Sequence, residues 1–286
     1  LAKQIRNISY VLTIWDLCHK DHPEFPEIRN KNIFQKRERF YKSVIPKATA
    51  IICESNINRK RVSRNYLIDD DKIFVFPFKP SQIFSKKDSC NDQKFLKINE
   101  INKPYIFYPA QFWAHKNHIY ILEALKIFLD KFKVDILCVF CGSDKGNLDY
   151  VKSFSEELNI SKNIKFLEFV DDMDLKTLYK NALCLVMPSY FGPTNLPPLE
   201  AFKVEIPLIY SDLNGFKDQV QDAALLVDLS NPEDLANNIF KLINDRDLRN
   251  NLISNGKIVL KKNDTRCDLE DKSKNEICRY DDKRIT

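Results

Sequence analysis

Glycine is scarce in this chain. Only five of its 286 residues are glycine, so a left-handed backbone position has to be filled mostly by residues that carry a Cβ, at a cost of about 1 kcal/mol each. Long apolar runs are missing too. None approaches the ~20 residues that a helix needs to cross a bilayer, which excludes a helical membrane span. The opening stretch LAKQIRNISYVLTIWD starts on leucine and has no signal-peptide pattern; it reads as an internal fragment start. Cys138 and Cys141 form a C-x-x-C inside the apolar run DILCVFCG, where alternation sends them to opposite faces of a strand. No second pair follows at zinc spacing. The eight scattered cysteines therefore read as reduced thiols of a cytoplasmic protein, with no metal expected. No short internal repeat is present.

What is there fits a globular protein. Hydrophobic residues make up 44% and charged residues 30%, and the length suits two domains of ordinary size. The net charge of +5 is mild and spread along the chain. It permits a phosphate-rich ligand or an anionic membrane surface without demanding nucleic acid.

Strand and helix signals alternate almost throughout, which predicts an α/β protein with parallel sheets. SYVLTIWDL, TAIICES and KIFVFPF read as strands, with FQKRERFYKSVIPKA and INRKRVSRNYLI as helices between them. These form a partial first domain, residues 1–84. Residues 85–103 read as a linker. Residues 104–261 read as a nearly complete doubly wound domain. Its strands are YIFYPAQ, VDILCVFCG, NIKFLEFV, LCLVMPS, PLIYSD and AALLVD. HIYILEALKIFLDKF is an amphipathic helix, with Ile121, Leu125, Phe128, Leu129 and Phe132 on one face. Residues 262–286 carry dense mixed charge without period and read as a poorly ordered tail.

The most informative stretch is PSYFGPTNLPPLEAF, Pro188 to Phe202. It follows a buried strand and opens a helix that Asn195 is placed to cap, with Pro197 and Pro198 in the first turn. Free N–H groups at a helix start attract anions. Thr194, Asn195 and Leu196 can present such groups to phosphates, and Gly192 lets the loop approach closely. Glu200 is poor at holding phosphate but suited to accept hydrogen bonds from sugar hydroxyls. Together these predict a nucleotide-sugar site. The plain alternative for Glu200 is a first-turn glutamate favoured by the helix dipole.

Taken in order, several segments resemble the retaining glycosyltransferases of the GT-B fold, family four, often called glycosyltransferase group 1. WDLCHKDHPEFPE resembles the acceptor-side segment that usually reads His-Asp-Leu. AIICES is similar to the strand ending in serine before a short helix. YPAQFWAHKNH looks like the phosphate loop, with Lys116 at the donor-binding lysine. FLEFVDDMDLKTLYKNA resembles the stretch that passes the nucleotide base. PSYFGPTNLPPLEA resembles the motif of two glutamates separated by seven residues. SDLNGFKDQVQDAALLVDLSNPEDLANNI is similar to the rest of the donor domain. The resemblance runs from about Val11 to Ile258 and is specific through the order of its motifs. It implies two Rossmann-like doubly wound domains with parallel sheets, the first incomplete, meeting across a cleft.

The resemblance also implies an activity. A sugar passes from a nucleotide-diphosphate-sugar donor to a glycan or lipid-linked acceptor with retention, as in polysaccharide biosynthesis, without metal or other cofactor. Lys116 and Glu200 are the catalytic candidates. Lys116 neutralises the departing diphosphate; its plain alternative is a solvated helix-start lysine. Gln111, Phe169, Val170, Gly192, Thr194, Asn195 and Leu196 join them around the donor, Phe169 and Val170 at the base unless they are strand core. Asp16 and His19 are acceptor-side candidates. The basic run Arg59, Lys60, Arg61 and Arg64 reads as a solvated helix face, or else as contact with the inner face of a membrane. His115 and His118 read as structural or solvated.

The chain also departs from the pattern. The first glutamate of the pair falls near Ser189 or Tyr190, Trp15 stands where histidine is common, and Glu205 occupies the usual glycine after the motif helix. These departures motivate a second reading, a non-catalytic nucleotide-binding remnant, and a weaker third, a nucleotide-sugar epimerase.

Overall fold

The computed structural model describes residues 8–85, 92–192 and 194–263. The chain divides into two compact units, one of residues 1–79 with 191–194 and 261–286, the other of residues 80–190 with 195–260. Both are α/β with parallel sheets, as the alternation predicts.

The first unit holds β1 (Val11–Thr13), β2 (Ala50–Cys53) and β3 (Ile73–Val75), all parallel and in that spatial order. Helices Ile33–Val44 and Asn56–Tyr66 connect them. Ile14, Leu17, Val44, Ile45, Ile51, Val62 and Ile73 form its core. Ser55 caps the second helix by accepting from the Asn58 amide, which satisfies one of the donors that a helix start leaves open.

The second unit is a six-stranded parallel sheet. Its strands are β4 (Tyr105–Pro109), β5 (Leu137–Cys141), β6 (Ile164–Leu167), β7 (Cys184–Met187), β8 (Leu208–Ser211) and β9 (Ala224–Val227). Their spatial order is β6-β5-β4-β7-β8-β9. β4, β5, β7 and β8 are apolar almost end to end and buried, the pattern of a sheet covered on both faces. Helix His118–Phe132 lies against helix Pro232–Asn244, with Phe132 stacked on Phe240 at 4.0 Å between ring centres. Cys138, Cys141 and Cys184 are free and buried in β5 and β7. Among the described residues no helix is long and apolar enough to cross a membrane.

Some elements differ from expectation. Asp92–Ile98, inside the stretch read as a linker, is a helix; Leu96 is buried, so packing gives this polar stretch an order that its composition hides. Residues 246–263 form a further helix. The tail expectation falls at 264–286 outside the described residues.

Helix Leu196–Lys203 ends as its missing glycine implies. Glu205 takes φ 64°. The Ile206 amide donates to the Ala201 carbonyl at 3.1 Å and the Glu205 amide to the Phe202 carbonyl at 3.3 Å, the pairing of a Schellman end. The ion pair of Glu205 with Lys257 is solvent-exposed and adds little. Glu205→Gly should therefore raise stability by about 0.5–1 kcal/mol, strain relief outweighing the extra freedom of the unfolded chain. Urea unfolding checks this; an unchanged midpoint would remove the strain argument.

Candidate functional site

After β4 the chain moves outward to β5 and β6, then returns to lay β7 on the other side of β4. The loops that leave β4 and β7 thus diverge at the point where strand order reverses. In open parallel sheets ligands gather there, outside the carboxyl ends of the strands.

The β4 loop runs over residues 110–117. Phe112 donates its amide to the Ser143 carbonyl at 3.1 Å. Gln111 is exposed, and its Oε1 accepts from the Trp113 indole at 3.0 Å. Ala114–Lys116 form a single 3-10 turn, and Asn117 at φ 55° swings the chain into helix His118–Phe132. Lys116 is half-buried; its carbonyl accepts from the Tyr108 hydroxyl at 2.9 Å. His115 is buried.

The β7 loop is tied to that turn. The Tyr190 amide donates to the His115 carbonyl at 2.9 Å, and the buried Ser189 hydroxyl reaches the same carbonyl at 3.4 Å. Ser211 of β8 donates to the Ser189 carbonyl at 2.8 Å. The backbone beside Lys116 and the strand end that leads to Glu200 are therefore one hydrogen-bonded piece. Gly192 takes φ 121°, a conformation that needs glycine. Thr194 Oγ1 is buried and takes no hydrogen bond from the described residues.

Asn195 needs a correction. It stands at the N-cap position of helix Leu196–Lys203, but its side chain makes no capping bond. Instead Nδ2 donates to the Tyr210 hydroxyl at 2.6 Å. Its backbone amide, expected to face phosphate, donates to Gln219 Oε1 at 3.1 Å, and its carbonyl accepts from Gln219 Nε2 at 2.6 Å. Gln219 clamps the helix start, and the N–H of Asn195 is spent on that clamp. Leu196, by contrast, is exposed at the first helical position.

Glu200 is half-buried, and its Oε2 accepts a 2.6 Å hydrogen bond from the Tyr179 hydroxyl. Burial pushes its carboxyl above the usual range; the Tyr179 bond pulls it back, and the nearby Asp172 carboxylate adds to the rise. Phe169 is 90% exposed just after β6, so strand core does not account for it, and Val170 is partly exposed.

His118 lies in an aromatic box, stacked on Phe112 at 4.5 Å and close to Tyr108 (5.0 Å) and Phe140 (5.1 Å). It is fully buried, and burial pushes its pKa down to about 3.

The first unit holds the other two candidates. Asp16 pairs with Arg37 at 2.7 Å and accepts the Cys18 amide. His19 is fully buried, with Nε2 at 2.9 Å from Glu38 Oε1. Tyr66 donates to the same oxygen and Lys20 pairs with the other. His19 is thus held inside the unit, away from any acceptor at the surface. Among the described residues no group of three or more His, Cys, Asp or Glu side chains is placed to hold a metal.

Tyr179, Tyr210 and Gln219 support the site without any sequence signal of their own. They act through hydrogen bonds to residues on other elements, Tyr179 to Glu200 and Tyr210 and Gln219 to Asn195 and to each other, and no local pattern marks them.

Known proteins share this architecture. A family model described as "Glycosyl transferases group 1" matches residues 91–259. The O-antigen chain mannosyltransferase RfbU of Salmonella typhimurium is 26% identical over 196 residues, 68% of this chain and 50% of the relative. O-antigen chain mannosyltransferase B of Escherichia coli is 22% identical over 221 residues, 77% of this chain and 58% of the relative. The chain spans roughly half the length of the curated relatives it matches. Among solved structures, a glycosyltransferase from Rickettsia africae superposes with TM-score 0.71 at 20% identity, over 85% of this chain and 67% of the other. The Anabaena protein HepE in complex with UDP-glucose superposes with TM-score 0.72 at 17% identity, over 89% and 68%. At these identities the likeness carries the fold, which is GT-B.

Proposed function

Because the chain belongs to the group 1 glycosyl transferases, we propose that it moves a sugar from a nucleoside-diphosphate-sugar donor to a glycan or lipid-linked acceptor, with retention of configuration. The observation that carries this reading is the joined pair of loops at the strand-order reversal, His115 to Tyr190, with Lys116 on one loop and Glu200 beyond the other. The complex of HepE with UDP-glucose and the mannosyltransferase relatives support a sugar nucleotide as donor.

In this reading Lys116 meets the diphosphate as negative charge grows on the leaving group, where a cation helps most. Glu200 accepts hydrogen bonds from the ribose hydroxyls. Gly192, Thr194 and the exposed first turn at Leu196 line the phosphates, and Gln111, Phe169 and Val170 border the rest of the donor. The transition state at the anomeric carbon is oxocarbenium-like, and attack comes on the face the leaving group departs from. No metal or other cofactor takes part in this proposal. Work of this kind on a lipid-linked acceptor would place the protein in the cytoplasm, peripheral at the inner face of a membrane.

Glu200→Gln keeps the shape and removes the charge. Donor binding should weaken by about 1.5–3 kcal/mol, the range for hydrogen bonds to a charged group, while the melting temperature stays near that of the parent. Calorimetry with UDP-glucose and GDP-mannose decides; a variant that binds like the parent leaves Glu200 an ordinary helix residue. No residue from Pro188 to Leu199 is acidic, so the family's first glutamate has no counterpart, which favours a second reading, a nucleotide-binding remnant without turnover. Sugar release from either donor separates the two.

A further inference from the structure

We infer that Tyr179 is a positioning residue that holds the Glu200 carboxylate in place to receive the donor's ribose hydroxyls. This rests on the role given to Glu200 above.

Other buried tyrosines of this unit send their hydroxyls to neutral acceptors. Tyr105 donates to the Leu178 carbonyl, Tyr108 to the Lys116 carbonyl, Tyr120 to the Asp228 and Asn231 carbonyls, and Tyr210 to the neutral side-chain amide oxygen of Gln219. A backbone carbonyl is the ordinary way to satisfy a core hydroxyl. Tyr179 does otherwise. It is fully buried on helix Asp172–Asn181, yet its hydroxyl donates to a carboxylate, at 2.6 Å. That length is typical of a charge-assisted O–H···O⁻ bond.

The ring is fixed independently of the hydroxyl. It stands edge-on to Phe84 at 5.3 Å and to Phe107 at 5.0 Å, with interplanar angles of 89° and 84°. A rigid donor therefore grips Oε2, while Oε1 takes no hydrogen bond from the described residues. A carboxylate held by one oxygen keeps its other lone pairs for a ligand, and preorganisation removes the cost of ordering it on binding.

The hydroxyl also bears on charge. Two influences favour the neutral carboxyl at Glu200, burial and the Asp172 carboxylate; the Tyr179 bond alone among them favours the ionised form. Phenylalanine at this position should leave Glu200 freer to turn and easier to protonate.

The test is a ratio. The affinity of the full chain for UDP and GDP is compared with that for their 2′-deoxy forms by calorimetry, in the parent, Tyr179→Phe, Glu200→Gln and the double variant. The parent should prefer the ribose form by about tenfold, one charged hydrogen bond's worth. Tyr179→Phe should cut that preference to about threefold or less, and the acid limb of UDP binding should move to higher pH. On the Glu200→Gln background the same change should do nothing further. Both nucleotides titrate the same folded molecules, so a loss of folded fraction cancels from the ratio. If Tyr179→Phe keeps the parent preference while Glu200→Gln loses it, the positioning role is overturned and the Glu200 reading stands. If Glu200→Gln keeps the preference, both fall.

Discussion

Lowering the pH from 6.5 toward 3 should strip the second unit of up to about 5 kcal/mol of stability, and His118 is the cause. Its imidazole sits inside the box of Phe112, Tyr108 and Phe140, where burial disfavours a cation more than a bond to the Ala110 backbone favours it, and the Lys116 charge adds to the penalty. An ordinary histidine takes a proton near 6.5; in the folded state this one waits until about 3. The sign follows directly. Above 6.5 neither folded nor unfolded chain is protonated there, and the contribution is whole. Below 6.5 the unfolded chain gains a proton that the folded chain refuses, and stability drains away until about 3. At about 1.4 kcal/mol per pH unit this gap gives the stated upper bound. Glu200 works the other way, since burial raises its pKa, and it offsets part of the loss. His118→Phe keeps an aromatic ring in the box and takes no proton. Urea unfolding at pH 7 and pH 4, read through hydrogen exchange of the β4 and β5 amides, should show the parent losing several kcal/mol more than the variant. Equal losses in the two proteins would clear His118.

The second large effect is expected at Gly142, directly after β5. A Cβ placed there lies 2.6 Å from the Ala110 carbonyl carbon and 2.8 Å from the Gln111 amide nitrogen, and closer still to the Ala110 oxygen. All three atoms are backbone, so no side chain can swing aside. The β4 loop itself must move, and Lys116 moves with it. Gly142→Ala should cost about 3 kcal/mol, the upper end for overpacking, and should weaken UDP-glucose binding as well. Gly146 is the matched comparison. It has φ 96°, but a Cβ there would meet nothing within 4 Å, so Gly146→Ala should carry about 1 kcal/mol of backbone strain and leave binding alone. Thermal melts and calorimetry on the pair test the idea; an unaltered Gly142→Ala protein would mean that the β4 loop yields freely.

Local chemistry explains what was readable beforehand. Strands such as LCVFC and CLVM announce themselves because a sheet covered on both faces leaves no room for polar alternation. Helix His118–Phe132 coincides with the stretch HIYILEALKIFLDKF that carries the apolar stripe. Glu205 at a left-handed position follows from the glycine missing there. Asn195 shows the limit. As a helix-start residue its local preference is to cap, but Tyr210 and Gln219 lie 15 and 24 residues away and take its side chain and backbone. His19 shows it again: its motif resemblance points to an acceptor, while Glu38, 19 residues on, draws it inside. Tertiary partners decide such cases, and a single sequence does not display them.

The strand order has a consequence for how the chain is made. β4 gains its first neighbour when β5 emerges, Tyr105 pairing with Leu137, but its other edge stays bare until β7, where Ile106 meets Cys184. Those partners are 78 residues apart (184 minus 106). At a synthesis rate of about 5–20 residues per second, the central strand of the half-made sheet shows an open apolar edge for about 4–16 s. An exposed edge is a template for pairing with another chain. The reversal that gathers the two loops into one site therefore also gives the nascent protein a vulnerable interval, which ends when LCLVMPS leaves the ribosome.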